Sequence, residues 1–215
     1  MKEIVKQRAS CLMRPDRHAQ NGSYSIRSLY FDDINDRFYY ENENGNDPRS
    51  KYRIRIYNAD TGYIRLEKKS KRADITIKES CLLSPDECSA LMRGDHAAIS
   101  VRDDDIKQRL IKEMELMQLL PVIIVSYERT PFVYPAGNVR LTIDGSLCYS
   151  TDIASFLDEK VGCIRPVMID EEAVMELKWD DVLPEHILSF MDLGSLRRGP
   201  FSKYYISRRQ SYGYL

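Results

Sequence analysis

Lys51-Tyr52-Arg53-Ile54-Arg55-Ile56-Tyr57 alternates strictly between cationic and apolar side chains over its first six residues. Successive side chains of a strand point to opposite faces, so Lys51, Arg53 and Arg55 share one face and Tyr52, Ile54 and Ile56 the other. A strand with a cationic row on one side and an apolar row on the other is suited to holding an anion. The pattern recurs outward from it. Ile64 to Lys69 puts Arg65, Glu67 and Lys69 on one face, and Lys78 lies on the polar side of Ile75 to Lys78. Val139 to Asp144 presents Arg140, Thr142 and Asp144, and Val174 to Trp179 sets Glu176 and Lys178 opposite Met175, Leu177 and Trp179. Arg129 ends the most apolar strand of all, which opens at Val122.

Two readings of these faces stand side by side. In one, an antiparallel sheet keeps its polar face in water and pairs Glu with Lys across strands. In the other, the sheet curls into a barrel, apolar face outward under helices and charged face inward, enclosing a hydrated, cation-lined tunnel. The abundance of Arg favours the second, because its planar fork grips phosphate or carboxylate through two bonds. A carboxylate such as Glu176 in that setting suits a hard divalent cation shared with phosphate oxygens.

The whole chain bounds what such a face can serve. Its 215 residues make one good-sized domain, or at most two small ones, and 43% hydrophobic with 30% charged residues describes a soluble globular protein. The net charge of -1 arises from 32 basic and 33 acidic groups, so overall charge makes no case for a nucleic-acid or membrane-surface partner and any anion site is local. Cys11, Cys81, Cys88, Cys148 and Cys163 are odd in number and lack CxxC spacing. That argues against a disulfide framework or structural zinc and for a reducing cytosol. No apolar run approaches the roughly 18 residues of a membrane span, and Met1 leads directly into charged helical sequence with no secretory signal.

Periodicity and punctuation predict a helix over 2–13, a strand over 24–31, an ambiguous and aromatic 33–43, a turn at 44–48, and strands at 51–57, 63–69 and 75–79. Ser84-Pro85-Asp86-Glu87 is a helix start, with Ser as cap, Pro at the first helical position and Glu three residues after the cap, and that helix ends by Gly94. A second helix opens at Asp103 to Asp105 and runs to about Leu119. Strands follow at 122–129, 139–144 and 173–179, then a helix from Leu183-Pro184-Glu185 to Met191. The tail from Phe201 to Tyr214 is basic and aromatic with no clean period.

Several phrases, taken together, resemble one family. They are Tyr24-Ser-Ile-Arg-Ser-Leu-Tyr-Phe-Asp32, Lys51 to Tyr57, Leu66-Glu-Lys-Lys69 with Lys78 downstream, Ser126-Tyr-Glu-Arg129, Val139 to Asp144, Met175-Glu-Leu-Lys178 and Phe201-Ser-Lys-Tyr204. In this order, from 24 to 204, the chain resembles the VTC-type polyphosphate polymerase domain, a branch of the triphosphate tunnel metalloenzymes. The resemblance implies an α+β fold: an antiparallel β-barrel tunnel with a polar, charge-lined interior, flanked by several helices, in a single domain over 1–215. It implies ATP binding and transfer of the γ-phosphate to a growing polyphosphate chain, with Mn2+ or Mg2+ as the divalent metal. Matched by motif, Arg53, Arg55, Lys69, Lys78, Arg129, Arg140 and Lys203 would hold phosphates, Lys69, Arg129 and Lys203 acting in catalysis, and Glu176 would hold the metal. Lys69 is chosen over Lys68 because it shares a face with Glu67.

Members of the family usually begin with a further strand bearing a tunnel lysine. Here Met1 opens into the first helix, so the chain is expected to lack that strand. Arg197 and Arg198 stand near the family's C-terminal basic position, but Pro200 intervenes and no role is carried over. His18, His96 and His186 sit apart and read as surface or capping residues, while Tyr204, Tyr205, Tyr212 and Tyr214 read as packing of the tail. Three functions stay open: an ATP-dependent polyphosphate polymerase, an inorganic triphosphatase, and a non-catalytic polyphosphate-binding module. The polymerase needs ATP and polyphosphate as partners, the triphosphatase inorganic triphosphate and the binding module polyphosphate, and none needs nucleic acid.

Overall fold

The alternation at 51–57 becomes a strand in the computed structural model, which describes residues 2–73, 75–99, 105–168, 172–180, 182–192, 194 and 199–213. Among these are six α-helices and nine strands, and the registered strand pairs are antiparallel, as an α+β fold of this kind requires. The chain divides into two compact units. The larger comprises Ile26–Ser126, Cys148–Val167 and Ser202–Leu215, and the smaller Met1–Ser25, Tyr127–Leu147 and Met168–Phe201.

In the larger unit, β2 (Tyr24–Asp32), β3 (Arg49–Tyr57), β4 (Ile64–Arg72), β5 (Ile75–Leu83) and the first half of β6 (Leu120–Tyr134) follow the order β5-β4-β3-β2-β6. One face is apolar: Leu29 and Phe31 of β2, Tyr52, Ile54 and Ile56 of β3, and Ile64 and Leu66 of β4 are all buried. Each such side chain contributes on the order of 2 kcal/mol through burial. Helices α3 (Pro85–Met92) and α4 (Asp105–Met117) accompany these strands. α3 starts at the expected capping box, with the Ser84 side chain accepting from Glu87 N at 3.1 Å and Glu87 Oε2 accepting from Ser84 N at 2.9 Å. Gly94, at φ 75°, takes the left-handed turn just after the helix that a side chain would disfavour. α4 buries Ile106, Leu110 and Met114 at helical spacing. Asp103 and Asp104, expected at its start, lie outside the described residues.

α2 (Arg37–Glu43) resolves the ambiguous 33–43, and it is capped from a distance. Its cap residue Asp36 makes no side-chain cap bond. The buried Asp32 carboxylate, at the end of β2, instead accepts from Phe38 N at 2.8 Å and Tyr39 N at 3.0 Å. Asp32 Oδ2 also accepts from the Tyr204 hydroxyl of α6 (Lys203–Ser211), and Arg208 of the same helix pairs with Asp36. Burial raises the proton affinity of the Asp32 carboxyl, and these hydrogen bonds oppose that shift without cancelling it. The tail that showed no clean period is therefore a helix, opened by Ser202 accepting from Tyr205 N at 3.3 Å. Tyr214 lies outside the described residues.

In the smaller unit, β1 (Arg14–Pro15) pairs with β6 through Arg14↔Val133, and β7 (Val139–Ser150) pairs with β9 (Ala173–Lys178) through Leu141↔Leu177. Val5, Ala9 and Met13, on and just after α1 (Lys2–Leu12), share a core with Phe132, Val139, Leu141, Ile143, and Ile187 and Met191 of α5 (Glu185–Met191). The short β8 (Arg165–Pro166) pairs with the end of β7 in the larger unit. No helix among the described residues is long and apolar enough to cross a membrane.

The Asp32 junction should be a principal stability determinant of the larger unit. Asp32→Ala removes a buried acceptor from two helix N–H groups and one hydroxyl, and is expected to cost about 3 kcal/mol. Tyr204→Phe, which deletes one of those bonds, is expected to cost about 1 kcal/mol. Urea unfolding followed by circular dichroism measures both, and equal midpoints for Asp32→Ala and the parent would remove the junction from this role.

Candidate phosphate-binding faces

Strand register turns the single charged strand into a charged face. Lys51 of β3 lies directly across from Lys69 of β4, which lies directly across from Lys78 of β5. The next row is Tyr30, Arg53, Glu67 and Ser80, and the row beyond is Ser28, Arg55, Arg65 and Leu82. With strands roughly 4.8 Å apart, three lysines stand within about 10 Å. Like charges directly opposite one another destabilise a sheet, so this row favours an anion above it.

Acidic and phenolic groups hold the arginines in place. Arg53 Nε donates to Glu67 Oε2 at 2.7 Å, Arg53 Nη2 lies 2.6 Å from the same oxygen, and Arg53 Nη1 donates to the Tyr30 hydroxyl at 3.1 Å. Arg55, buried, donates from Nε to Ser28 Oγ at 3.4 Å and lies 3.8 Å from Glu67 Oε2. Burial alone would raise the Glu67 carboxyl, but Arg53 and Arg55 outweigh it and hold the group below the usual carboxylate range. Tyr30 shows the same contest. Burial would raise its hydroxyl, yet Arg53, Arg55 and Lys51 bring it down to about 8.

Lys68 and Lys69 part company here. Lys68 Nζ pairs with Glu113 Oε1 of α4 at 3.0 Å, the oxygen to which the Tyr52 hydroxyl also donates at 2.9 Å, and sits 4.6 Å above the Tyr52 ring. Lys68 thus belongs to the helix-covered face and Lys69 to the basic one. Lys203 is the first residue of α6, next to Ser202, whose Oγ accepts from Lys51 Nζ at 3.3 Å.

The smaller unit carries the remaining predicted residues. Arg129 donates from Nε and Nη2 to the two oxygens of Asp144, 2.7 Å each, in a two-bond fork, and the Asp144 side chain is almost wholly buried. Burial would lower the proton affinity of Arg129, but the Asp144 bonds raise it overall, so this guanidinium stays charged. Arg140, exposed, stands across from Lys178, and Thr142 across from Glu176. Glu176 Oε1 pairs with Lys178 Nζ at 3.0 Å. Thr142 Oγ1 is buried with no hydrogen-bond partner.

Among the described residues no cluster of three or more His, Cys, Asp or Glu could cage a metal. One half-exposed carboxylate beside an orphaned hydroxyl fits instead a hard cation carried chiefly by phosphate oxygens, the habit of magnesium-type ions at nucleotides. The histidines take ordinary roles: His18 accepts from Arg17, His96 lies 3.4 Å from Glu115, and His186 packs edge-on to Tyr134. The cysteines form no disulfide among the described residues, and burial pushes the Cys88 thiol up to about 12, which leaves it unreactive. Arg197 and Arg198 lie outside the described residues. Sequence reasoning missed Tyr30, Ser28 and the Glu113 anchor of Lys68; only the alternation of Tyr24 to Asp32 hinted that Ser28 and Tyr30 share a face.

Comparison with known proteins agrees with this construction. No curated protein matches the chain. Solved structures that share its fold include two from distant organisms. An adenylate cyclase candidate from Bacillus halodurans has 15% identity, 99% of this chain and 92% of that one covered, and a TM-score of 0.53. An adenylyl cyclase candidate from Hippeastrum with a dominant triphosphatase activity has 14% identity, 97% and 90% covered, and a TM-score of 0.55. At such identity the likeness speaks for the fold alone. The VTC domain matches residues 1–212, nearly the whole sequence. With the rows of Lys51, Arg53 and Arg55 in register on one face and this match along their strands, the chain belongs to the VTC-domain family.

Proposed function

We propose that this chain is a polyphosphate polymerase, which binds the triphosphate of ATP and transfers its γ-phosphate onto a polyphosphate chain. The observation that carries this reading is the row Lys51, Lys69 and Lys78 beside Arg53 and Arg55, a face with cations in register whose repulsion a polyanion relieves. In this reading Arg53, Arg55, Lys69 and Lys78 hold phosphates on the larger unit, with Lys203 at the start of α6. Arg129 and Arg140 hold phosphate on the smaller one. A terminal polyphosphate oxygen attacks the γ-phosphorus while the β–γ bridging P–O bond breaks and ADP leaves.

Phosphoryl transfer of this kind asks the protein for positioning and charge neutralisation rather than for a covalent intermediate. Lys69, Arg129 and Lys203 are the cations assigned to the transferring group. The fork between Arg129 and Asp144 keeps that guanidinium charged and fixed in orientation. A manganese or magnesium ion, with Glu176 as its protein ligand, supplies further neutralisation of the phosphate oxygens when bound. The family match across 1–212 supports treating the chain as one functional domain. Cysteines without disulfide partners fit a cytosolic setting.

A second reading, hydrolysis of inorganic triphosphate, is favoured by one observation: the Hippeastrum protein that shares this fold has a dominant triphosphatase activity. Purified protein given ATP and manganese should form chains that resist nuclease and are degraded by a polyphosphatase. Faster phosphate release from inorganic triphosphate than from ATP, with no polymer, would establish the triphosphatase instead. Salt-sensitive polyphosphate binding with neither product would reduce the chain to a binding module.

Arg53→Ala and Arg140→Ala are each expected to weaken triphosphate binding by about tenfold or more at low salt, since a charge-assisted hydrogen bond is worth about 1.5–3 kcal/mol. Isothermal titration calorimetry reads this directly, and unaltered affinity in both would sink the phosphate assignment. The two adjacent lysines should separate cleanly. Lys69→Met is expected to weaken binding with little change in thermal midpoint. Lys68→Met is expected to spare binding and cost about 1 kcal/mol of stability, because the part-buried Glu113 loses one of its two cations and keeps Arg37 at 3.3 Å.

A further inference from the structure

Lys51 differs from the part-buried cations that lie along or beside the charged strands with a carboxylate, and from Arg27, which three backbone carbonyls hold. Arg53 has Glu67, Lys68 has Glu113, Lys107 has Glu87 and Arg129 has Asp144. Among the described residues, Lys51 has no carboxylate at ion-pair distance. Its Nζ lies 3.5 Å from Asn42 Oδ1 of α2 and 3.3 Å from Ser202 Oγ, and 5.8 Å from the centroid of the Tyr204 ring. An ammonium drawn out of water and given only neutral oxygens is stabilised by an arriving anion.

The groups that face it reinforce this. From its own strand come Arg49 and Arg53, from β4 comes Lys69, and from β2 comes the buried Tyr30 phenol, which accepts from Arg53. α2 and α6 offer Asn42, Ser202 and Tyr204. Tyr30 in turn faces Lys51, Arg53 and Arg55, and its ring lies 5.1 Å from that of Tyr204. Tyr30 thus lies among three cations, two of which, Arg53 and Arg55, also have the Glu67 carboxylate, while Lys51 has no carboxylate at ion-pair distance among the described residues.

We propose that Lys51 is a further phosphate ligand, completing the row with Lys69 and Lys78, and that anion binding there draws a proton from solvent onto the Lys51–Tyr30 pair. The ligand class is a condensed phosphate chain, free or as the tail of a nucleotide. The inference rests on the phosphate-binding reading above and deepens it. Burial first, then Lys69, Arg53 and Arg49, push the Lys51 ammonium down to about 8 against the pull of Tyr30, while the cations bring the Tyr30 hydroxyl down to about 8 against burial. A bound polyanion adds negative charge beside both and raises both. The sign follows: above about pH 8 the free pair has lost protons that the bound pair holds, so binding takes protons up and affinity falls as pH rises.

The test is calorimetric titration with inorganic tripolyphosphate, without metal, at about pH 8.5 and low salt in several non-phosphate buffers of different ionisation enthalpy. Lys51→Met is expected to bind about tenfold more weakly. Lys51→Arg, always charged, is expected to keep affinity within about threefold of the parent while taking up fewer protons. Tyr30→Phe, which keeps the ring, is likewise expected to lower the uptake. Circular dichroism confirms that each variant is folded, and Lys51→Arg carries the test if Lys51→Met does not fold. Repeating the titration with ATP shows whether a nucleotide tail behaves like the free chain. Parent protein that binds tripolyphosphate while Lys51→Met binds equally well, or while Lys51→Arg takes up as many protons as the parent, overturns this inference alone. Parent protein that binds no tripolyphosphate overturns the underlying reading as well.

Discussion

Glu67 accepts from Arg53 at 2.7 Å and lies 3.8 Å from Arg55, and the basic face depends on this one carboxylate. A buried arginine such as Arg55 cannot leave water uncompensated, and a sheet cannot hold rows of like charge across three strands without some opposing charge. The two arginines in turn keep Glu67 ionised despite its burial. Arg129 and Asp144 repeat the device in the smaller unit with two bonds of 2.7 Å. In both, an acid orients an arginine without consuming all of its donors. The guanidinium arrives pre-positioned, so less conformational entropy is lost when an anion binds.

Around Glu67 the same logic grades the cations. Arg53 and Arg55 are paired and oriented, Lys69 and Lys78 form a row across two strands, and Lys51 extends that row with only neutral oxygens near it. Such grading suits a ligand that carries charge along its length rather than at a point. Asp32 supplies the second support. By capping α2 and accepting from Tyr204 of α6, it fixes the start of α6, where Ser202 stands beside Lys51. The strand end that builds the core also anchors the helix whose cap, Ser202, meets Lys51.

Much of this was legible in the residues. The period of two in 51–57 predicted both faces of β3, and Ser84-Pro85-Asp86-Glu87 predicted the start of α3 with its reciprocal bonds, because both signals are local. The tail from Phe201 was not legible as a helix. Its cap, Ser202, lacks the acidic partner three residues on, and its buried positions, Tyr204 and Ser207, are three apart but only one is apolar. α6 forms because Asp32 and Asp36 receive Tyr204 and Arg208, contacts some 170 residues distant in the chain that no local pattern records. The strands β5, β6 and β7 also run beyond their predicted ends, since pairing with a neighbour sustains extended chain past the point where alternation fades.

By itself the sequence determined which residue types alternate, and so that Lys51, Arg53 and Arg55 share a face, that Lys69 sides with Glu67, and that the chain resembles the VTC domain. Only the tertiary structure decided the register. Lys51 stands across from Lys69 and Lys69 from Lys78 because turn geometry and packing of the apolar face fix where each strand pairs. Tertiary packing also decided that Lys68 answers to Glu113 of α4, and that Tyr30, a plain aromatic in the sequence, lies buried among three cations. Alternation is a property of one strand and can be read along it. Charge compensation is a property of neighbours in space, and folding alone chooses them.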